Sequence, residues 1–320
     1  MSTGSDALRS IFDDPQTTLI VLGFLVALGL FAITHTKWRP ATPLRVTRRR
    51  AWGQLLSAAC RMYASQPRLF LGIALAFLPV VILDALVQQL FFGTSDVAGV
   101  ENQGETGGVL ATFGFTLTVA LTVTALAIVQ AATTRALVSI DAGRASTARA
   151  AYRHALNRLP TLVSAVTFAV IVVLLLSVTV AFLPLALWLV GRSAFLAQVI
   201  ELEDRSAFGA LRRSSELVQG RWLRVVSLAV VGAGFALLLG PTVGALMIFA
   251  TDAPFAFLNI VAGLVYVFAM PLVALTTSYV YFDAIVREHL EGERGPDVPP
   301  SELPAGWARG SPGRTHGPAA

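Results

Sequence analysis

Apolar residues gather in long uninterrupted runs, and polar residues fall in short, arginine-rich segments between them. A hydrocarbon core of about 30 Å takes roughly 20 helical residues to cross. Windows of that size recur seven times, near 17–34, 69–92, 109–131, 161–182, 183–202, 223–250 and 255–282. The fourth and fifth form one run about twice the length that a single span needs, and Pro184 suits the first turn of a new helix, so the run divides into a hairpin. The first window is flanked by Asp13 and Asp14 rather than by a basic segment, which reads as a retained span and not a signal peptide.

The polar segments have a helical period of their own. "RRRAWGQLLSAACRMYASQP" places Trp52, Leu55, Leu56, Ala59 and Tyr63 on one stripe, and "RASTARAAYRHALNRLP" does so with Ala148, Tyr152, Ala155 and Leu159. In "ELEDRSAFGALRRSSELVQGRW" the stripe is Phe208, Leu211, Ser215, Val218 and Trp222. Each segment closes on a breaker before the next apolar run: Pro67, Pro160 or Gly220. The pattern predicts three amphipathic surface helices anchored by Trp52, Tyr152, Phe208, Leu211 and Trp222, in a weak threefold repeat of surface helix, breaker and membrane hairpin.

Composition removes the water-soluble alternative. Of 320 residues, 55% are hydrophobic and only 13% charged, too apolar to solvate the surface of a soluble domain. The expected fold is therefore all-α: an integral membrane bundle of about seven transmembrane helices plus the three surface helices. Charge then orients it. Of the 24 basic residues only Arg9 and Arg192 fall outside four alternate segments, while "GTSDVAGVENQGETGG" and "TDAP" carry none. By the positive-inside rule the basic side is cytoplasmic, the N-terminus outside and the C-terminus inside. Only Lys37 among the basic residues is a lysine, a bias that suggests a bacterial inner membrane. The chain divides into an N-terminal span and basic linker (1–47), a six-span domain (48–291) and a Pro/Gly-rich tail (292–320) expected to be disordered. Cys60 has no cysteine to pair with, and a free, semi-buried thiol is expected.

Two stretches carry a family resemblance. "VIELEDRSAFGALRRSSELVQGRWLRVVSL" closes one span on an acidic residue, follows with Ala-Leu-Arg-Arg-Ser and opens the next on Gly-Arg-Trp. "YVYFDAIVREHLEG" is a Tyr-rich span running into Asp, Arg and an acidic, Gly-terminated end. Together they resemble the membrane-domain family named for glycerophosphoryl diester phosphodiesterase, six-span proteins many of which stand alone without assigned activity. The resemblance implies a six-span fold over roughly 48–293. It implies no phosphodiesterase activity, because no soluble catalytic barrel is present.

No catalytic constellation stands out. His35, His154, His289 and His316 lack metal-ligand spacing, and the lone lysine lies in "HTKW", outside any phosphate-binding loop. "DAGRAS" faintly resembles the aspartate-rich motif of phosphatidyltransferases, yet no further carboxylate follows before Glu201. No catalytic, cofactor or metal residue is therefore expected, nor a nucleic-acid partner. Two function classes stay open. One is a non-catalytic scaffold or membrane partner in envelope organisation, touching the bilayer, anionic headgroups through Arg48, Arg49 and Arg50, or a protein at the cytoplasmic face. The other is a transporter with a site near Arg192, for which the Gly240-Pro241 interruption speaks. Asp84 and Arg192 are the two charges set within spans; their matching depths predict an intramembrane ion pair, structural or functional.

Overall fold

The computed structural model describes residues 49–92, 105–177, 179–232 and 255–292, with Thr34, Trp38, Val46, Val243 and Met247 placed singly. Within them the chain forms α1 (Trp52–Ser65), α2 (Pro67–Ala74), α3 (Leu78–Phe92), α4 (Glu105–Asp141) and α5 (Ala148–Asn157). Then follow α6 (Leu159–Ser177), α7 (Leu183–Arg192), α8 (Leu196–Glu203), α9 (Ala207–Val218), α10 (Trp222–Gly232) and α11 (Phe255–Gly292). Among the described residues four helices are long and apolar enough to cross a membrane, or five if a bent pair counts as one span. The described bundle is all-helical, as the pattern predicts. The first apolar window and most of the sixth lie outside the described residues, as do most of 1–47 and the tail beyond 292.

Local chemistry sets the breaks. A residue before proline is pushed out of the α region, so α1 ends at Ser65 with Gln66 at φ −136°, ψ 58°, and Pro67 opens α2. The two directions differ by 97°. A 3-10 turn, Leu75–Phe77, separates α2 from α3 within the second window. Pro79 accounts for it, since it has no N–H to donate to Leu75 and its ring crowds that carbonyl. Between α6 and α7 the chain turns through Val180–Phe182, with Pro184 in the first turn of α7, where the sequence places the hairpin. The fifth window keeps the length of one span, Leu183–Glu203, with a short turn at 193–195 that divides it into α7 and α8.

The central post is α4, which packs against α3, α5, α6, α8 and α11. Its buried Ala125, Ala131, Ala132, Thr133, Thr134 and Ala136 are small, and small residues let membrane helices approach closely. Thr134 Oγ1 and Ser278 Oγ meet at 2.9 Å to join α4 to α11. Larger side chains fill the rest, with Phe70, Phe77, Phe195, Tyr279, Tyr281 and Phe282 fully buried. Leu175, Leu187 and Phe115 lie exposed on long apolar helices, the pattern of a lipid-facing surface.

With 37 and 38 residues, α4 and α11 run to roughly 55 Å each, well beyond a hydrocarbon core of about 30 Å. Their C-terminal turns carry Arg135, Asp141, Asp283, Arg287 and Glu288 out of the apolar belt. There α1, α5 and α9 pack around them and form a polar end. Each of these three helices buries one stripe: Leu55, Ala58, Ala59 and Met62 in α1; Ala151 and Ala155 in α5; Ala210, Ser214, Leu217 and Val218 in α9. Cys60, expected to be semi-buried, falls beside the α1 stripe and is exposed instead.

Candidate functional site

The polar end is assembled from buried carboxylates, each met by arginines from other elements. Asp283 of α11 is the first. Its Oδ1 accepts from the Arg50 backbone N–H at 2.8 Å, and its Oδ2 from Arg224 at 3.2 Å and Arg287 at 2.8 Å. Both guanidiniums also donate to the Arg50 carbonyl, at 2.6 and 3.0 Å. The chain entering α1 is thereby tied to α10 and α11. The Arg50 guanidinium turns over the Tyr279 ring, 5.0 Å from its centroid.

The second node is Glu203, at the end of α8. It accepts from Arg213 Nε at 3.1 Å and from the Tyr281 hydroxyl at 3.2 Å, both from packed neighbours. Arg213 in turn makes a bidentate pair with Glu288, at 2.7 and 2.6 Å, so one guanidinium joins α8, α9 and α11. Hydrogen bonding to Glu288 holds Arg213 in its charged form, above the ordinary arginine range and against the pull of burial.

The third node is Glu201, two residues earlier in α8 and so on the opposite side of that helix. Its Oε1 lies 2.9 Å from His154 Nδ1 and 3.8 Å from Arg135 Nε. The His–Glu approach is not a hydrogen bond, as neither atom has such a partner in the structure. Burial first, and then the nearby Arg135 and Arg158 charges, lower the His154 pKa below its usual value. Arg158 pairs with Asp204, which closes α8 in the left-handed region at φ 57°. Asp tolerates that region through its short polar side chain.

The "EDRSAFGALRRSSE" segment now has a residue-by-residue account. Ser206 caps α9 by accepting from the Gly209 N–H at 3.4 Å. Arg212 reaches forward to Glu216 at 3.0 Å on the outer face. Ser214 is fully buried; its hydroxyl accepts from the Phe195 N–H at 3.1 Å and donates to the Arg192 carbonyl at 2.7 Å. Backbone groups freed by the turn between α7 and α8 are satisfied there by Ser214 of α9. Close approach also needs Gly191: a Cβ there would collide with the Trp222 indole and lie 2.6 Å from Val226.

The residues singled out from the sequence are placed as follows. Arg192 ends α7; its guanidinium donates to Ser215 Oγ at 2.7 Å and stacks 4.1 Å from the Trp188 ring. The side chain of Asp84 lies outside the described residues. Trp52 is half-buried and donates from Nε1 to Ser227 Oγ at 3.1 Å. Tyr152 donates to the Ile73 carbonyl, which fixes α5 to α2, and burial raises its hydroxyl pKa. Trp222 donates to the Trp188 carbonyl at 3.2 Å. Leu211 packs half-buried against the core, whereas Phe208 is 70% exposed and meets only the edge of Phe168 in ring contact, at 5.2 Å. Sequence reasoning did not single out Glu201, Glu203, Ser214, Tyr281, Asp283 or Glu288. The available signal was their position at the polar ends of apolar runs, where a carboxylate entering a bundle needs a cation.

Two surface grooves open at this end. One, of about 460 Å³, is lined by Gly220, Arg221, Trp222, Leu223, Arg224 and Arg287. The other, of about 520 Å³, lies between Ser65–Leu69 and Ser146–Ala148. No group of three or more His, Cys, Asp or Glu side chains suited to a metal occurs among the described residues. Comparison with protein families, with curated proteins and with solved structures finds no match.

Proposed function

We propose that this chain is a multi-pass protein of a bacterial inner membrane, N-terminus outside and polar end cytoplasmic, that acts as a non-catalytic scaffold or membrane partner in envelope organisation. The observation that carries this reading is the use made of the buried carboxylates. Asp283 and Glu203 are spent on arginines from other helices, which makes them joints between elements rather than acids, bases or ligands poised for a substrate. On the outside of those joints, α1, α5 and α9 present Arg61, Arg149, Arg153 and Arg212 to solvent, which suits a headgroup layer or an acidic partner surface. Membership of the six-span family named for glycerophosphoryl diester phosphodiesterase belongs to the same proposal. Its support is that the two stretches carrying the resemblance meet at one interface, through Arg213 and Glu288.

A photo-crosslinking residue placed at Arg153 or Arg212 tests the reading in intact cells. Discrete protein adducts are expected from these positions and not from lipid-facing Leu175. Adducts absent from both polar-end positions would refute a partner role. A second reading, transport near Arg192, is favoured by the helix break at 193–195, because discontinuous helices are where transporters build sites. Solute flux into proteoliposomes that Arg192→Gln abolishes would move the assignment there.

A further inference from the structure

Arg192 carries a charge that the rest of the described fold leaves unmet. It stands within the apolar stretch Leu183–Glu203, where an arginine is costly unless something answers its charge. Its side chain makes two contacts: Nη1 donates to Ser215 Oγ at 2.7 Å, and the guanidinium stacks 4.1 Å from the Trp188 ring. Neither partner is an anion. Among the described residues no carboxylate pairs with it, and Glu216, next to Ser215, turns to Arg212. The Nε–Nη2 edge, the fork that takes carboxylate or phosphate oxygens in pairs, is engaged by no group of the described chain and is not buried.

The surface around that edge is apolar and open. Leu185, Trp188 and Arg192 follow one another at three and four residues, so they share one face of α7. Leu185 is 45% and Trp188 42% exposed, on a helix whose Leu187 and Val190 are exposed as well. Trp222 closes the other side, its indole against Gly191 and its Nε1 donating to the Trp188 carbonyl, and exposed Leu223 follows it. Two indoles beside an arginine are a residue set of the headgroup level. Past Arg192 the chain turns into α8, which is buried and carries Gln198, Glu201 and Glu203, so the guanidinium stands where the exposed apolar surface of α7 ends. A ligand that fits has a phosphate at the fork and a hydrocarbon tail on the Leu185–Trp188 face.

We propose that Arg192 binds the phosphate of a membrane phospholipid through its Nε–Nη2 edge, with an acyl chain along the Leu185–Trp188 face of α7. The site needs only that the chain sits in a bilayer. It does not rest on the scaffold reading, and it gives Arg192 a counterion without a transported solute.

The test uses the full chain purified in a neutral detergent, with bound lipid counted by native mass spectrometry. Dioleoyl phosphatidylglycerol should bind in preference to dioleoylglycerol, which lacks the phosphate. Arg192→Gln should lose about fivefold in phosphatidylglycerol affinity, with dioleoylglycerol unchanged. Arg192→Lys keeps the charge but not the fork and should recover only part of that loss. Arg153→Gln, at an exposed position on α5, should leave the preference intact. On the wild-type chain, whatever the yield of the variants, a phosphatidylglycerol with a photoreactive acyl chain should crosslink to α7 or α10. Crosslinks confined to other helices, no preference between the lipids, or equal losses in Arg192→Gln and Arg153→Gln would overturn the site. Displacement by millimolar inorganic phosphate would assign the fork to a soluble anion and overturn the lipid. Solute flux abolished by Arg192→Gln with lipid binding unchanged would overturn it in favour of transport. Selective lipid binding without any crosslinked protein partner would leave this inference standing and the scaffold reading fallen; the reverse result would separate them the other way.

Discussion

At the scale of single residues, the polar end shows why a membrane protein can keep carboxylates out of water. A buried charge stripped of its partner is costly, about 3–5 kcal/mol, because the remaining ion has neither water nor counterion. Asp283→Asn removes the charge that Arg224 and Arg287 share and should destabilise the protein by about that amount. Arg212→Gln, which breaks only an exposed pair with Glu216, should cost under about 1 kcal/mol. Thermal unfolding in detergent compares the two. His154 supplies a pH signature. Its folded pKa lies below the unfolded value of 6.5, so the unfolded chain binds the proton more readily. Stability from this group is complete above pH 6.5 and is lost as pH falls toward the folded pKa. His154→Gln should flatten the melting temperature against pH in that window, and an unchanged slope would assign the dependence to another group.

Among elements, α9 is the part whose role the pattern describes least well. Its periodic stripe runs through Phe208, Leu211, Ser215, Val218 and Trp222, and a surface helix needs only an apolar side to anchor it. Of these the structure fully buries Val218, together with Ala210, Ser214 and Leu217 outside the stripe, and it uses two serines to close a break in a neighbouring helix. The reason is physical: α9 packs on α6, α7, α8 and α11 at once, so small and polar residues that fit the break face inward. Leu217→Asp, at a site 1% exposed, should abolish recovery of folded protein, whereas Phe208→Asp, 70% exposed, should be tolerated. Ser214→Ala removes a buried hydroxyl that both donates and accepts and should cost about 1–3 kcal/mol. Gly191→Val should be worse than Ser214→Ala, since the added atoms meet Trp222 and Val226. Equal yields across this series would mean that α9 does not dock as described.

For the whole molecule the decisive prediction is topological. In the proposed orientation the arginine-rich polar end is cytoplasmic, and Cys60 is an exposed native reporter on α1. A membrane-impermeant thiol reagent should leave Cys60 unmodified in intact cells and label it after permeabilisation. In a Cys60→Ser background, cysteines at Asn102 or Asp252 should be labelled from outside, and cysteines at Arg149 or Arg212 should not. The last two positions are exposed, so silence there reports sidedness rather than burial.

Much of this architecture is legible in the chain because a bilayer imposes a strong, one-dimensional rule. Each crossing needs a long apolar run, and the prolines at 67, 79 and 184 mark turns whose backbone restrictions act locally. Helical class, the hairpin after α6 and the sharp corner after α1 therefore follow from the sequence alone. Pairing does not. Arg192 carries no mark in the sequence saying that Ser215, more than twenty positions on, receives its proton donor, nor does Asp283 say that Arg50 and Arg224 converge on it. Those partners are set by which helix faces touch, and the touching depends on small residues such as Gly191 and Ala132 that let particular helices come close. Sequence decides what must cross the membrane, by the free energy of apolar burial; only the tertiary structure decides which charges meet once it has.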